Sequence, residues 1–404
     1  VIVGADWVLP VDGPPVERGT VTFEDGVIAA VGQGESADLQ FPGGVILPGL
    51  VNAHTHLEYT AMSGFGDGLP FGPWIQDHIA RKAALSAADL LDQSRAGVAA
   101  SLAGGVTTVA DCCYAGTVAQ AAIDGGVRAI VYVEGFSMWE SLEQRMRERL
   151  DGLARGPLVS PGVSPHAPFT VTLEDYAMMV GLARERGLPC ATHLLESDRE
   201  TLHLDAFAGV LGPDTVAVHL VRASAGDIEL LAASDVPAVH CPRSNALLGC
   251  GTAPVPEMLA AGVRVGLGTD SPNSALDLDM WAEMRAAIML ARARLGRADA
   301  LTAGTVLRMA TLGGAEAIGL GGVLGSITPG KRADLTVLDL SGSSFLPWDD
   351  PVSAAVYGGG PDRVALTIVD GRIRYERGRE SGAGAGVAAC RSKMIAAVSS
   401  AQAV

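Results

Sequence analysis

The sequence predicts an α/β protein: a (β/α)8 TIM barrel with a small β-sandwich domain built from both chain ends. Three observations predict it. Eight short apolar runs recur between residues 48 and 318, each followed by a stretch of helical period. Both flanks instead alternate β-branched with polar residues and turn at Asp-Gly pairs. The third observation is positional: histidines and an aspartate sit where the central runs end.

Residues 1–47 read as short strands, VIVGADWVLPVDG and GTVTFEDGVIAAVG. The same texture returns in ADLTVLDLSG and RVALTIVDGRIRYERG, so residues 319–404 should complete the sandwich. The last stretch, GVAACRSKMIAAVSSAQAV, reads as a terminal helix. Between the flanks, residues 48–318 hold GVILPGLVNAH, GVTTVADCC, RAIVYVEG, LVSPGVSPH, PCATHLLE, TVAVHL, VPAVHCP and RVGLGTD. Near-continuous apolar runs mark strands buried on both faces, as in a parallel sheet. LEDYAMMVGLARERG and ALDLDMWAEMRAAIMLARARLG supply helical crossovers. A doubly wound sheet has the same ingredients, and the polar residues decide between the two. His54 and His56 end the first run, His166 the fourth, His193 the fifth, His219 the sixth, His240 the seventh and Asp270 the eighth. In a barrel those ends converge on one mouth.

Composition narrows the function. With 48% hydrophobic and 18% charged residues in 404, the chain buries a large core, which excludes disorder and a disulfide-stapled miniprotein. Lys and Arg number 29 against 45 Asp and Glu, a formal charge of −16. Such a surface repels phosphate backbones and anionic lipid, so no nucleic acid and no membrane is expected as partner. A small-molecule substrate is the expected partner, with a homodimer left open. No apolar run reaches the ~18–20 residues that span a bilayer, and no basic stretch leads into an apolar core at the start. The cytoplasm is the expected location. Six cysteines without a CxxC spacing, including the adjacent Cys112 and Cys113, read as buried thiols of a reducing compartment.

His54 and His56 are i and i+2 on a strand, so both imidazoles point to one face and can chelate one divalent cation. His193 and Asp270 are the candidates to close the site. Three imidazoles and a carboxylate suit Zn²⁺ or Fe²⁺, with a position left for water. GSITPGKR nearly spells a phosphate loop, but Arg332 stands where a Ser or Thr is needed and no helix follows. His78, His203 and His240 read as structural.

PGLVNAHTHLE, HLLE, VHL, HCPRSN and GLGTDS, in this order at barrel spacing, resemble the amidohydrolase superfamily. More narrowly they resemble its branch of cytosine deaminases, S-adenosylhomocysteine deaminases and triazine hydrolases. GVLGSITPGKRADLTVLDL is similar to that family's returning sandwich strands. The resemblance implies a single metal, Zn²⁺ first and Fe²⁺ second, held by His54, His56, His193 and Asp270. Binuclear members bridge two metals with a carboxylated Lys on strand four. The only lysines here are Lys82, Lys331 and Lys393, none near that strand, and Glu134 at the end of strand three reads as a polar contact. By the same resemblance Glu196 shuttles protons, Asp270 orients the nucleophile, His219 stabilises the oxyanion and ammonia leaves.

His166, in SPHAPFT, matches the family position that contacts the substrate base. HTHLE, SPHAPFT and HCPRSN together most resemble the aminodeoxyfutalosine deaminases of menaquinone biosynthesis. S-adenosylhomocysteine deaminases hold the ribose diol with an acid just before a loop Trp; here Gly72 and Pro73 precede Trp74. Glu58 and Asp67 are the candidate substitutes. Arg243 occupies a position where relatives usually carry a small residue. It is expected either to clamp a substrate carboxylate or to pair with a neighbouring loop acid. The competing activities are deamination of S-adenosylhomocysteine, 5′-methylthioadenosine or adenosine, hydrolysis of a triazine or another N-heterocycle, and hydrolysis of an amide or hydantoin.

Overall fold

The computed structural model describes residues 1–34, 36–200, 202–379 and 385–401. Four strands open the chain: β1 (Ile2–Val8), β2 (Val16–Glu24), β3 (Val27–Gln33) and β4 (Leu39–Pro48). The barrel follows as β5 (Leu50–Thr55), β6 (Val106–Cys113), β7 (Arg128–Gly135), β8 (Val159–Pro165), β9 (Cys190–Leu194), β10 (Thr215–His219), β11 (Ala238–His240) and β12 (Val265–Leu267). These eight are parallel neighbours in sequence order. Then β13 (Leu335–Asp339), β14 (Val364–Val369) and β15 (Arg372–Glu376) return to the opening strands, giving the order β15-β14-β13-β4-β1-β2-β3. All seven belong to one continuous sheet, antiparallel except where β1 lies parallel to β4.

The run GVILPGLVNAH, which reads as a single strand, is divided between the two sheets at Gly49. A Cβ there would meet the Thr107 side chain at 2.1–2.6 Å, so only glycine lets β5 start against β6. Upstream, β4 alternates: Ile46 packs with Val3, Phe23 and Ile368, whereas Val45 and Leu47 join the core that runs into the barrel helices. That shared strand fixes the small sheet onto the barrel. Inside the barrel, Val51, Ala53, Ala110, Cys112, Tyr132, Val218 and Val239 form their own cluster, so the pore is filled with side chains.

Closure of the barrel sits at the mouth. The Asp270 N–H donates to the His54 carbonyl at 3.0 Å, and Thr55 and Asp270 form a parallel bridge. Gly268 permits this approach, because a Cβ there would lie 2.7–2.8 Å from His54 backbone and side-chain atoms.

Two helices follow β5: α1 (Phe71–Ala83) and α2 (Ala87–Ala103), the latter opened by a Ser86/Asp89 capping box. The terminal helix Ala385–Ala401 leaves the small sheet and packs on this part of the barrel, with Cys390 and Met394 buried against Tyr59 and Met62. Lys393 pairs with Asp89 at 2.6 Å, and Arg391 donates to the carbonyls of Ala61 and Ser63 at 2.9 and 2.8 Å. The end of that expected helix, residues 402–404, lies outside the described residues. GSITPGKR leads into β13, with Arg332 paired to Asp370. Among the described residues no helix is long and apolar enough to cross a membrane.

Gly268→Ala is expected to force β12 away from β5, at about 1–3 kcal/mol as for other overpacked sites. Thermal melting should drop and divalent-metal affinity should fall with it. A variant that melts and binds metal like the wild type would show that the closure does not depend on this contact.

Candidate metal centre and active site

The first, fifth, sixth and eighth barrel strands deliver His54 and His56, His193, His219 and Asp270 to the mouth at their C-terminal ends. Three of those strand ends bend sharply: Leu195 after β9, His219 and Leu220 at β10, and Asp270 after β12 have φ of 53°, 75°, 52° and 60°. Such left-handed backbone costs about 1–3 kcal/mol at a non-glycine residue and persists only where the surroundings enforce it. Here it turns His219 and Asp270 to face His54, His56 and His193.

The donor atoms lie close together. His54 Nε2 and His56 Nε2 stand 3.5 and 3.4 Å from Asp270 Oδ1, and His56 Nε2 is 3.4 Å from His193 Nε2. Donors bound to one ion at ~2.1 Å in tetrahedral array sit about 3.4 Å apart, so the spacing fits a shared cation. His54 Nε2 is buried without a hydrogen-bond partner, an orphaned ring nitrogen that a bound cation would satisfy. His56 Nδ1–H donates to the Cys112 carbonyl at 2.7 Å, and His193 Nδ1–H to the His166 carbonyl at 2.6 Å. These bonds fix the tautomer that leaves Nε2 as a lone pair aimed at the centre. Ser244 and Ser274 donate to Asp270 Oδ2 at 2.6 and 3.0 Å, holding Oδ1 toward the imidazoles.

Burial sets the charges. It lowers His54 to about 4 and His193 well below the usual imidazole range, so both stay neutral at pH 7, the form that binds metal. Burial pushes Asp270 upward, but the imidazoles around it, His54 first and then His219 and His56, outweigh it and hold the carboxyl well below the usual range. Glu196 goes the other way: burial, then Asp270 and Glu200, raise it well above an ordinary carboxyl. Its Oε1 lies 3.7 Å from His219 Nε2, and His219 Nδ1–H is anchored on Asn245 Oδ1 at 2.9 Å.

The centre opens into a cavity of about 540 Å³, in the size range of small-molecule sites. Its walls include His56, His193, Glu196, His219 and Asp270 at one side and Phe71, Trp74, Phe136, Trp139 and Phe169 at the other. His166 stands between, its ring 5.0 Å from His193 and 4.8 Å from Phe136, with Nδ1 engaged by the Thr170 hydroxyl at 2.7 Å.

The amidohydrolase family model matches residues 45–374. The chain belongs to the amidohydrolase family. A 5′-deoxyadenosine deaminase of Methanosarcina mazei is 35% identical, over 90% of this chain and 89% of its own length. A 5-methylthioadenosine/S-adenosylhomocysteine deaminase of Syntrophobacter fumaroxidans is also 35% identical, over 90% of each chain. Among solved structures, an adenosine deaminase from Xanthomonas campestris with bound zinc superposes with a TM-score of 0.89 at 30% identity, covering 98% of both chains. The zinc complex of atrazine chlorohydrolase from Arthrobacter aurescens TC1 has a TM-score of 0.85 at 22% identity, over 97% of this chain and 99% of that one, a likeness of fold. This amidohydrolase is a hydrolase acting on C–N bonds, with a His/Asp cluster suited to a divalent metal.

Of the residues singled out in the sequence, His54, His56, His193, Asp270, Glu196, His219, His166 and Trp74 come together. Glu58 does not. Its carboxylate turns away from the cavity, which it does not line, and accepts bonds from the Ala115 and Thr117 N–H groups, the Thr117 hydroxyl and the Cys113 thiol. Asp67 is exposed and outside the cavity walls. Arg243 is no substrate clamp: its Nε pairs with the fully buried Glu283 at 2.6 Å and its Nη2 with Asp277 at 2.7 Å. That pairing is the alternative left open for it, and it anchors the turn that carries Ser244 and Asn245.

His203 is exposed, and His240 is a buried strand-end histidine outside the cavity walls. His78, however, lines the cavity between Tyr59 and Trp74, where burial lowers it to about 3. Glu134 lines it too, with Oε1 buried and unbonded. Sequence reasoning also passed over Lys82. The signal was the spacing: Trp74, His78 and Lys82 are i, i+4 and i+8, one face of α1. All six cysteines are free thiols, and Cys250 alone is only half-buried.

Elemental analysis should find about one divalent ion per chain, lost on His193→Ala or Asp270→Ala. Two equivalents, both required for activity, would overturn the single-metal centre. Arg243→Ala strands a buried carboxylate, at about 3–5 kcal/mol for a broken buried pair. It should lower the melting temperature and reduce kcat/KM by the same factor on every substrate; a loss confined to anionic substrates would restore the clamp.

Proposed function

We propose that this amidohydrolase is an adenine nucleoside deaminase acting on 6-aminodeoxyfutalosine or a nucleoside with a similarly bulky 5′ substituent. The observation that carries the reading is the placement of Glu196. A buried carboxyl stands beside His219, and the two share the cavity with the His/Asp cluster and His166. The relatives named as deaminases of 5′-deoxyadenosine and of 5-methylthioadenosine/S-adenosylhomocysteine support it.

His54, His56, His193 and Asp270 would hold one Zn²⁺, or Fe²⁺, since both suit a donor set of imidazole nitrogens and a carboxylate. Such an ion supplies, when bound, a water acidified toward pKa ~7. Glu196 takes a proton from the attacking water and passes it to N1, the ring nitrogen beside C6. His219 faces the incoming oxygen, where an imidazole offsets the developing negative charge. His166, packed between Phe136 and Phe169, contacts the far edge of the purine. Water adds at C6, the C6–N bond breaks, and ammonia leaves.

The aromatic wall runs from Phe136 through Trp139 to Tyr114, and in this reading it packs a substituent on the 5′ carbon.

Ammonia release from 6-aminodeoxyfutalosine, 5′-deoxyadenosine, adenosine and an aminotriazine tests the reading. Release from the nucleosides is expected; release from the triazine alone would sink it. Glu196→Gln should keep the metal and lose at least ~10²–10⁴ in kcat, the range of general acid–base catalysis. Retention of more than a tenth of wild-type kcat would put the proton route elsewhere.

A further inference from the structure

We propose that Lys82 reads the distal end of the substrate and selects an adenine nucleoside whose 5′ substituent is an aromatic carboxylate. The inference deepens the adenine-nucleoside reading and rests on it.

Lys82 lies in the last turn of α1 and lines the cavity. A path of rings leads to it from the metal centre. Tyr59 stacks on His56 at 5.8 Å, Lys82 Nζ lies 5.9 Å from the Tyr59 ring, and the same ammonium sits 3.7 Å over Tyr114. Beyond Tyr114 comes Trp139 at 6.2 Å. Leu85 and Leu90 line the same cavity. A ligand occupying this end meets aromatic and aliphatic walls and a single positive charge.

That charge is unspent. Among the described residues no carboxylate oxygen lies within ion-pair distance of Lys82. The two carboxylates whose fields reach it are Glu134 and Glu58, and Glu58 is occupied by Ala115, Thr117 and Cys113. The neighbouring cations are committed. Arg81 pairs with Asp77 at 2.6 Å, and Arg149 donates to the carbonyls of Glu134 and Tyr114. Arg145 is exposed and stacks on Trp139 outside the cavity walls. Burial lowers the Lys82 pKa, so a ligand anion that restores a partner gains more than it would at an open surface.

The rival role is charge balance for Glu134, which would make Lys82 indifferent to the 5′ end. Three nucleosides separate the two: one with a 5′ benzoate, its methyl ester, and 5′-deoxyadenosine. The ester keeps the shape and removes the charge. In the wild type kcat/KM should favour the acid over the ester. In Lys82→Met that ratio should fall about 10- to 100-fold, the worth of a charge-assisted hydrogen bond, and Lys82→Arg should restore part of it. Because the readout is a ratio within one variant, partial misfolding cancels. Lys82→Gln serves if the Met variant fails to fold, and calorimetric binding of acid and ester to Glu196→Gln reads the same preference without turnover. An equal ratio in wild type and variant overturns the assignment of Lys82. Ammonia from none of the three overturns the deaminase reading itself.

Discussion

One backbone hydrogen bond, from the Asp270 N–H to the His54 carbonyl, organises both the barrel and the metal centre. It joins the last strand to the first, and the residues it joins are the two that face each other across the centre. Asp270 adopts a left-handed backbone to make it, and Gly268 has to be a glycine to let the strands approach. The strain is tolerated because the site over-determines the residue: Ser244 and Ser274 hold one carboxylate oxygen while the imidazoles meet the other. Fold closure and ligand geometry are therefore the same event, and neither can relax without the other.

The second constraint is electrostatic. Asp111, Glu134, Glu196, Asp270 and five imidazoles are buried at one mouth, and each burial disfavours charge. Backbone groups and hydroxyls absorb much of this cost. Asp111 accepts the Leu57 N–H at 2.7 Å, and Glu58 is met by two backbone N–H groups and a hydroxyl. Some atoms remain unpaired, among them His54 Nε2, Glu134 Oε1 and Asp111 Oδ1, all buried without hydrogen-bond partners. His54 belongs to the His/Asp cluster and Glu134 to the cavity wall. Arg243 shows the opposite case, a charge so well matched by Glu283 and Asp277 that it has none to offer a ligand.

Strand positions were legible in the sequence because most of the apolar runs end in a histidine or aspartate that an apolar strand does not tolerate without a purpose. His54, His56, His193, His219 and Asp270 could be placed at one mouth from strand order alone. The division of GVILPGLVNAH at Gly49 was not legible, since Val45 and Val51 look alike and only the crowding of Thr107 shows where one sheet ends. Glu58 misled because its neighbour His56 is in the site; two residues past the strand, the chain has entered a helical turn and the carboxylate swings to cap Thr117. Arg243 misled because position at the mouth says nothing about direction, and Glu283, forty residues on, is invisible from the local motif.

Those failures share a cause that bears on how the enzyme divides its labour. Residues on strand ends have their direction set by the pleat, so their chemistry can be read from order and spacing. One side of the cavity is carried instead by α1, whose Trp74, His78 and Lys82 line it only because the helix is docked at one rotation. That docking is held from outside the barrel: Arg391 of the terminal helix caps the carbonyls of Ala61 and Ser63 and stacks with Arg81 on Phe65. Changes in α1 or in the terminal helix can thus reshape what the cavity accepts while the strand-end residues stay where the barrel puts them.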